Sequence, residues 1–95
     1  MRISTDELRR ATDVLLRHLE QSGHGAIEIE KDFYWSVSPD ERYDLEKQPT
    51  ELGVGQLSDD IAEVRAIVEG QKAPVGYALV WLSSILRAVG EEVVG

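Results

Sequence analysis

Acids stand in adjacent pairs in this chain, an arrangement that could carry acid–base or cation chemistry. Asp40 and Glu41 are neighbours, and so are Asp59 and Asp60. Neighbouring residues on a helix project about 100° apart, so the second pair does not converge on one ligand. Asp59 and Glu63 do share a helix face and could hold Mg²⁺ or Ca²⁺ loosely. Helix capping and solvation account for these acids more simply, so we predict no metal site.

Histidines, serines and glycines form no recognisable reactive set. His18 falls at the edge of a predicted helix and His24 in a Ser-Gly-His-Gly turn, whereas a catalytic metal needs three or more ligands. No serine has the sequence context of a hydrolase nucleophile. Gly53-Val54-Gly55 precedes a predicted helix but lacks the lysine and the full glycine spacing of a phosphate-binding loop. We predict no catalytic residues and no cofactor, with a weak divalent-cation or small-ligand enzyme as an alternative.

Aromatic residues among acids are the better candidate for a site. Tyrosine and tryptophan supply contact area in protein interfaces, and carboxylates steer the encounter with a basic partner. Trp35 is expected to be a core residue, and Tyr34 is either a partner contact or an ordinary half-exposed strand residue. The predicted partner-binding residues are Glu28, Glu30, Asp32, Tyr34, Asp40, Glu41 and Asp44.

The charge of the chain is uneven and favours the same class of partner. The net charge is −8, and residues 21–72 carry twelve acids against five bases, whereas residues 1–20 carry four of each. An acidic field of this kind repels nucleic acid and anionic membrane surfaces and attracts basic proteins. The chain has no cysteine and no apolar run of membrane-spanning length, so we expect a cytoplasmic protein.

Ninety-five residues suffice for a single domain, which begins with a well-signalled helix. Ser4 and Glu7 have the spacing of a capping box, and Ile3 and Leu8 that of a hydrophobic staple. The helix is expected to end at Ser22-Gly23, where glycine can adopt a left-handed conformation.

A strand is predicted to follow, from about residue 26 to residue 37. Taking every second residue puts Ile27, Ile29, Lys31, Phe33, Trp35 and Val37 on one face, expected to be the core side. The opposite face carries Glu28, Glu30, Asp32, Tyr34 and Ser36. A hairpin turning at Lys31-Asp32 is the alternative, but it would set acids opposite large aromatics.

The second half of the chain is predicted to contain a short strand at residues 51–57 and two helices. Ser58 is the expected cap of the second helix, which buries Ile61, Val64 and Val68 and ends at Gly70. The third helix is expected to run from about Pro74 to Gly90, followed by a frayed tail from about residue 91.

The run D-F-Y-W-S-V-S-P-D-E-R-Y-D, followed by V-G-Q-L-S-D-D-I and a closing apolar helix, resembles a family of short, uncharacterised bacterial proteins. The resemblance covers residues 32–90 and implies a bacterial cytosolic protein, without implying any site residue. In size and charge the chain is also similar to the small acidic immunity proteins that neutralise bacterial toxins, an analogy only.

These observations predict one mainly helical α+β domain, in the order α-β-β-α-α with a two-stranded antiparallel ribbon. We expect a non-enzymatic module that binds a basic protein, such as an immunity or inhibitor protein. The alternative is a structural homodimer that associates through the wide apolar surface of the third helix.

Overall fold

The computed structural model describes residues 1–37 and 52–93, and the predicted fold class is confirmed over this part of the chain. It contains three helices and a two-stranded antiparallel sheet, in the predicted order. The elements are α1 (Thr5–Gln21), β1 (Phe33–Val37), β2 (Leu52–Gln56), α2 (Leu57–Val68) and α3 (Ala78–Glu92). None of these helices has the length and apolar character needed to cross a membrane.

Local sequence signals determine both ends of α1, as predicted. The Ser4 side chain accepts the backbone N–H of Glu7 at 3.0 Å, and the Glu7 carboxylate accepts the N–H of Ser4, which completes the capping box. Gly23, with φ +88°, follows the last turn in the left-handed region that glycine tolerates. Although α1 is well formed, it contains no buried residue.

The predicted strand from residue 26 to residue 37 is too long, and its assignment of faces is wrong for residues 33–35. Regular strand geometry begins only at Phe33, because β2 pairs with residues 33–37 alone. Phe33 and Trp35, expected in the core, are 62% and 72% exposed, whereas Tyr34 is half-buried. The alternative hairpin at Lys31-Asp32 does not form either, since β1 pairs with β2.

The change of face occurs at Asp32, the residue that bonds to the start of α2. Its carbonyl oxygen accepts the N–H of Leu57 at 2.6 Å, so this backbone group bonds to a helix terminus. Before that point Ile27 and Ile29 face the helices, as predicted. After it the alternation continues with the opposite phase, which brings Tyr34 to the helix side.

The core lies between α2 and α3. Leu57 and Ala88 are the fully buried apolar residues of the described part. Half-buried side chains of both helices and of residues 27–29 surround a shared groove; they are Ile27, Ile29, Ile61, Val64, Leu82, Ile85 and Val89. Val68, predicted in the buried stripe of α2, is exposed at the end of that helix.

Both boundaries of α3 differ from prediction. The helix begins at Ala78, because the Val75 and Gly76 carbonyls accept N–H groups three residues ahead and form a tighter preceding turn. It continues past Gly90 to Glu92, so residues 91 and 92 are helical rather than part of a frayed tail.

The cap of α2 comes from Asp32, whereas Ser58 was the predicted cap. Asp32 Oδ1 accepts the N–H of Ser58 at 2.7 Å, and Oδ2 accepts Gln56 Nε2 at 2.9 Å and Ser58 Oγ at 3.1 Å. These bonds favour the charged carboxylate, and the Gln56 and Ser58 donors hold the pKa of Asp32 below its ordinary 3.8.

Replacing Asp32 by Asn should lower the midpoint of thermal unfolding at neutral pH, and replacement by Ala should lower it further. Because the folded-state pKa of Asp32 is depressed, its stabilising contribution is complete above pH 3.8. That contribution is lost as the pH falls through the folded-state pKa, so the wild type and Asp32→Asn should converge in acid. Melting curves from neutral to strongly acidic pH measure the difference, and the exposed acid Asp59, changed to Asn, is the control. A constant difference at all pH values would contradict the role of the charge.

Candidate functional site

The structure separates the predicted partner-binding residues into different roles. Glu28 and Glu30 are exposed, as a partner contact requires. The carboxylate of Asp32 is engaged at the start of α2. Tyr34 lies on the helix side of β1. The predicted contacts Asp40, Glu41 and Asp44 lie outside the described residues.

A buried carboxylate, Asp60, links β1, α2 and α3. Only 8% of Asp60 is exposed, although it lies in the first turn of α2. The Tyr34 hydroxyl and the Ser84 hydroxyl both donate to Asp60 Oδ2, the second at 2.5 Å. These two hydroxyl groups provide hydrogen bonds to a carboxyl group that has lost most of its water.

The sequence carried a signal for this burial that the charge-based interpretation missed. Asp60 follows Leu57 by three residues and precedes Val64 by four, which is the spacing of one helix face. Leu57 is fully buried and Val64 is half-buried, so Asp60 belongs to the inward side of α2. Asp59 points elsewhere and is exposed, as expected for an adjacent helical residue.

Tyr34 reaches Asp60 by passing over a glycine of the neighbouring strand. Tyr34 pairs with Gly55 in the β1–β2 ladder, and a Cβ built on Gly55 would approach the Tyr34 ring closer than 3.0 Å. The ring therefore occupies the space of a side chain at position 55. Burial raises the pKa of the Tyr34 hydroxyl above its ordinary 10.0, and its hydrogen bond to Asp60 acts in the same direction.

An aromatic cleft of about 330 Å³ opens beside Asp60, between the sheet and α3. Trp81 and Tyr77 form one wall, with ring centroids 5.8 Å apart and planes at 82°, the edge-to-face geometry that aromatic pairs prefer. The cleft is lined by Tyr34, Trp35, Val54, Gly55, Asp60, Tyr77, Val80, Trp81, Ser83, Ser84 and Arg87. Both tryptophans of the chain thus line one cavity.

The rim of the cleft is fixed by an ion-pair network on α3. Glu91 accepts from Lys31 and, at 3.2 Å, from Arg87 Nε. These two donors, Lys31 first, hold the pKa of Glu91 below its ordinary value. The network ties the segment before β1 to the last turn of α3, with two cations, Lys31 and Arg87, sharing the single carboxylate of Glu91.

The described residues offer little for metal or phosphate chemistry. They contain no group of three or more His, Cys, Asp or Glu side chains placed to hold a metal ion. His18 and His24 are both exposed and lie outside the lining of the aromatic cleft. Gly53 and Gly55 belong to β2 rather than to a loop before α2. These residues do form an aromatic cleft beside one buried acid, Asp60.

Replacing Gly55 by Ala should displace the Tyr34 ring and cost about 1–3 kcal/mol of unfolding free energy, the usual range for overpacking. The same change in a Tyr34→Ala background should cost less, because the clashing ring is gone. A double-mutant cycle from denaturant unfolding measures this coupling. Gly90→Ala serves as the control, because nothing lies within 4 Å of a Cβ at that position. Additive effects of the two changes would contradict the proposed contact.

Comparisons with known proteins add no family to this geometry. The chain matches no protein-family model, no curated protein and no solved structure. The resemblance to short bacterial proteins therefore stays a prediction, and the function must be argued from the described residues.

Proposed function

We propose that this protein is a non-enzymatic module that binds a basic protein through an aromatic face. The aromatic face consists of Phe33, Trp35, Val54 and Tyr77, with Trp35, Val54 and Tyr77 toward the beginning of α3 and Phe33 toward its last turns. Immunity and inhibitor proteins use such surfaces to neutralise a partner without chemistry of their own, and this role fits the acidic charge of the chain.

Exposure of Trp35 is the observation that carries the proposal. Trp35 is 72% exposed and pairs with Val54, itself 61% exposed, in the β1–β2 ladder. Phe33 extends the same strand face. Soluble monomers seldom leave large aromatic side chains together in water, and tryptophan is among the residues that contribute most to protein interfaces.

The acids near this face support a basic partner. Glu28 and Glu30 are exposed just before β1, and neither forms an ion pair with another described residue. The chain as a whole carries a net charge of −8. Long-range attraction of this kind raises the association rate and weakens with added salt.

Site-specific photo-crosslinking can identify the partner directly. We would replace Trp35 by a benzophenone amino acid in the native organism and use Val68, an exposed residue of α2, as the control position. A basic protein crosslinked from position 35 and not from position 68 is the expected result. Crosslinks that are equal at both positions would contradict the aromatic face as the binding surface.

With the partner in hand, Trp35→Ala should weaken binding by about 2 kcal/mol, roughly 30-fold in Kd. A Glu28/Glu30→Lys variant should slow association and flatten its salt dependence, with Asp32 left intact because it caps α2. The matched control is Glu20/Glu69→Lys, the same charge change at two other exposed sites. Stopped-flow association at low and moderate salt measures both effects, and unchanged binding in the first two variants would sink the proposal.

A second candidate is a homodimer that associates through the exposed apolar residues of α1 rather than through α3. On α1 the apolar residues Leu8, Val14, Leu15 and Leu16 are all exposed. Residues 1–20 balance their charges, and the pairs Asp6–Arg10 and Asp13–Arg17 lie within the helix. Two copies could therefore meet along α1 with less repulsion than along the acidic parts of the chain.

Sedimentation velocity across micromolar concentrations tests the homodimer. We expect Leu15→Lys on α1 to give a monomer and Leu79→Lys on α3 to leave the dimer intact. These two leucines are matched in exposure, at 65% and 70%. If only Leu79→Lys dissociates the dimer, the interface lies on α3 instead. A wild-type monomer at every concentration would exclude the homodimer.

A further inference from the structure

We propose that the aromatic cleft is a binding site for an organic cation, an alkylammonium or guanidinium group, with Asp60 as its counter-charge. This site goes beyond the protein-binding proposal, because a free small cation could occupy it without any protein partner.

Asp60 is a buried acid. Asp60 is more than nine-tenths buried, and aspartate is rarely so buried unless a cation pairs with it. Within the described residues, no Lys, Arg or His side chain lies within ion-pair distance of Asp60. The hydroxyls of Tyr34 and Ser84 both bond to Oδ2, and no other side chain of the described residues donates to Oδ1.

The residues that line the cleft also favour a cation. Four aromatic residues line the cleft: Tyr34, Trp35, Tyr77 and Trp81, although the side chain of Trp35 lies on the opposite face of β1 from Tyr34 and is 72% exposed. A cation near the face of an aromatic ring is attracted by the negative potential of its π system, most strongly for tryptophan. Aromatic residues beside a carboxylate attract a positive group from two sources.

The rim residue Arg87 does not already serve as the cation. Its guanidinium donates to Glu91 at 3.2 Å, and its side chain is 83% exposed. Arg87 therefore bonds to Glu91, which it shares with Lys31, and forms no ion pair with Asp60. A volume of about 330 Å³ is at the small end of ligand cavities and suits one alkylammonium or guanidinium group rather than a large cofactor.

The cleft supplies its own reporters, because both tryptophans of the chain line it. We would titrate the wild type with n-butylammonium chloride at constant ionic strength and follow tryptophan fluorescence and the indole N–H signals by NMR. The neutral analogue n-butanol is the ligand control. We expect a saturable response to butylammonium with a midpoint in roughly the millimolar range, and no saturable response to butanol.

The matched variants are Asp60→Asn and Asp59→Asn, one change at the buried acid and one at its exposed neighbour. Asp60→Asn should weaken butylammonium binding at least about tenfold, and Asp59→Asn should leave it unchanged. Circular dichroism checks the fold of both variants. If Asp60→Asn does not fold, the difference between the wild-type responses to butylammonium and to butanol still tests the cation site.

A capped Gly-Gly-Lys-Gly-Gly peptide distinguishes the source of the cation. Binding about tenfold tighter than butylammonium would identify a protein side chain as the occupant, and equal or weaker binding would identify a free amine. Either result supports the cation site. Equal responses to butylammonium and butanol, no response of the wild-type indoles, or full binding by a folded Asp60→Asn variant would overturn it. Because no protein partner takes part, this outcome is independent of whether the protein-binding proposal fails.

Discussion

Asp32 holds the N-terminus of α2 with its carbonyl oxygen and with both oxygens of its carboxylate, from a position 26 residues before Ser58. A helix N-terminus needs acceptors for its free N–H groups, and here a distant segment of the chain supplies them. The same bonds fix where the approach to β1 ends and which way Tyr34 points. The sheet, the cleft and the exposure of Trp35 all depend on this attachment.

Tyr34 and Trp35 show how much follows from that attachment. Because neighbouring strand residues point to opposite sides, bringing Tyr34 toward the helices leaves Trp35 largely in water. The tyrosine hydroxyl then meets Asp60, and the tryptophan becomes part of an apolar surface. The position of Asp32 therefore accounts both for the bond between Tyr34 and Asp60 and for the exposure of the aromatic face, the two features on which the functional proposals rest.

Local signals made most of the fold predictable, while the site depended on distant contacts. The capping box at Ser4 and Glu7 and the glycines at 23 and 70 act within a few residues, so the ends of α1 and the end of α2 follow from the sequence. The side of the sheet that Trp35 occupies depends on the bonds of Asp32 to a distant part of the chain, and hydrophobic periodicity does not predict such bonds. The same limit applies to Asp60, whose helix spacing indicated burial although its charge argued against it.

The contact between Tyr34 and Gly55 couples the residues that these two positions can accept. A larger residue at position 55 is compatible with this fold only when the ring at position 34 is smaller or turned away, and a turned ring loses its bond to Asp60. Among sequences descended from a common ancestor, an aromatic residue at 34 should therefore occur with glycine at 55. Gly55 lies within a strand, where glycine is unfavourable, because the Tyr34 ring needs the space that a side chain would occupy.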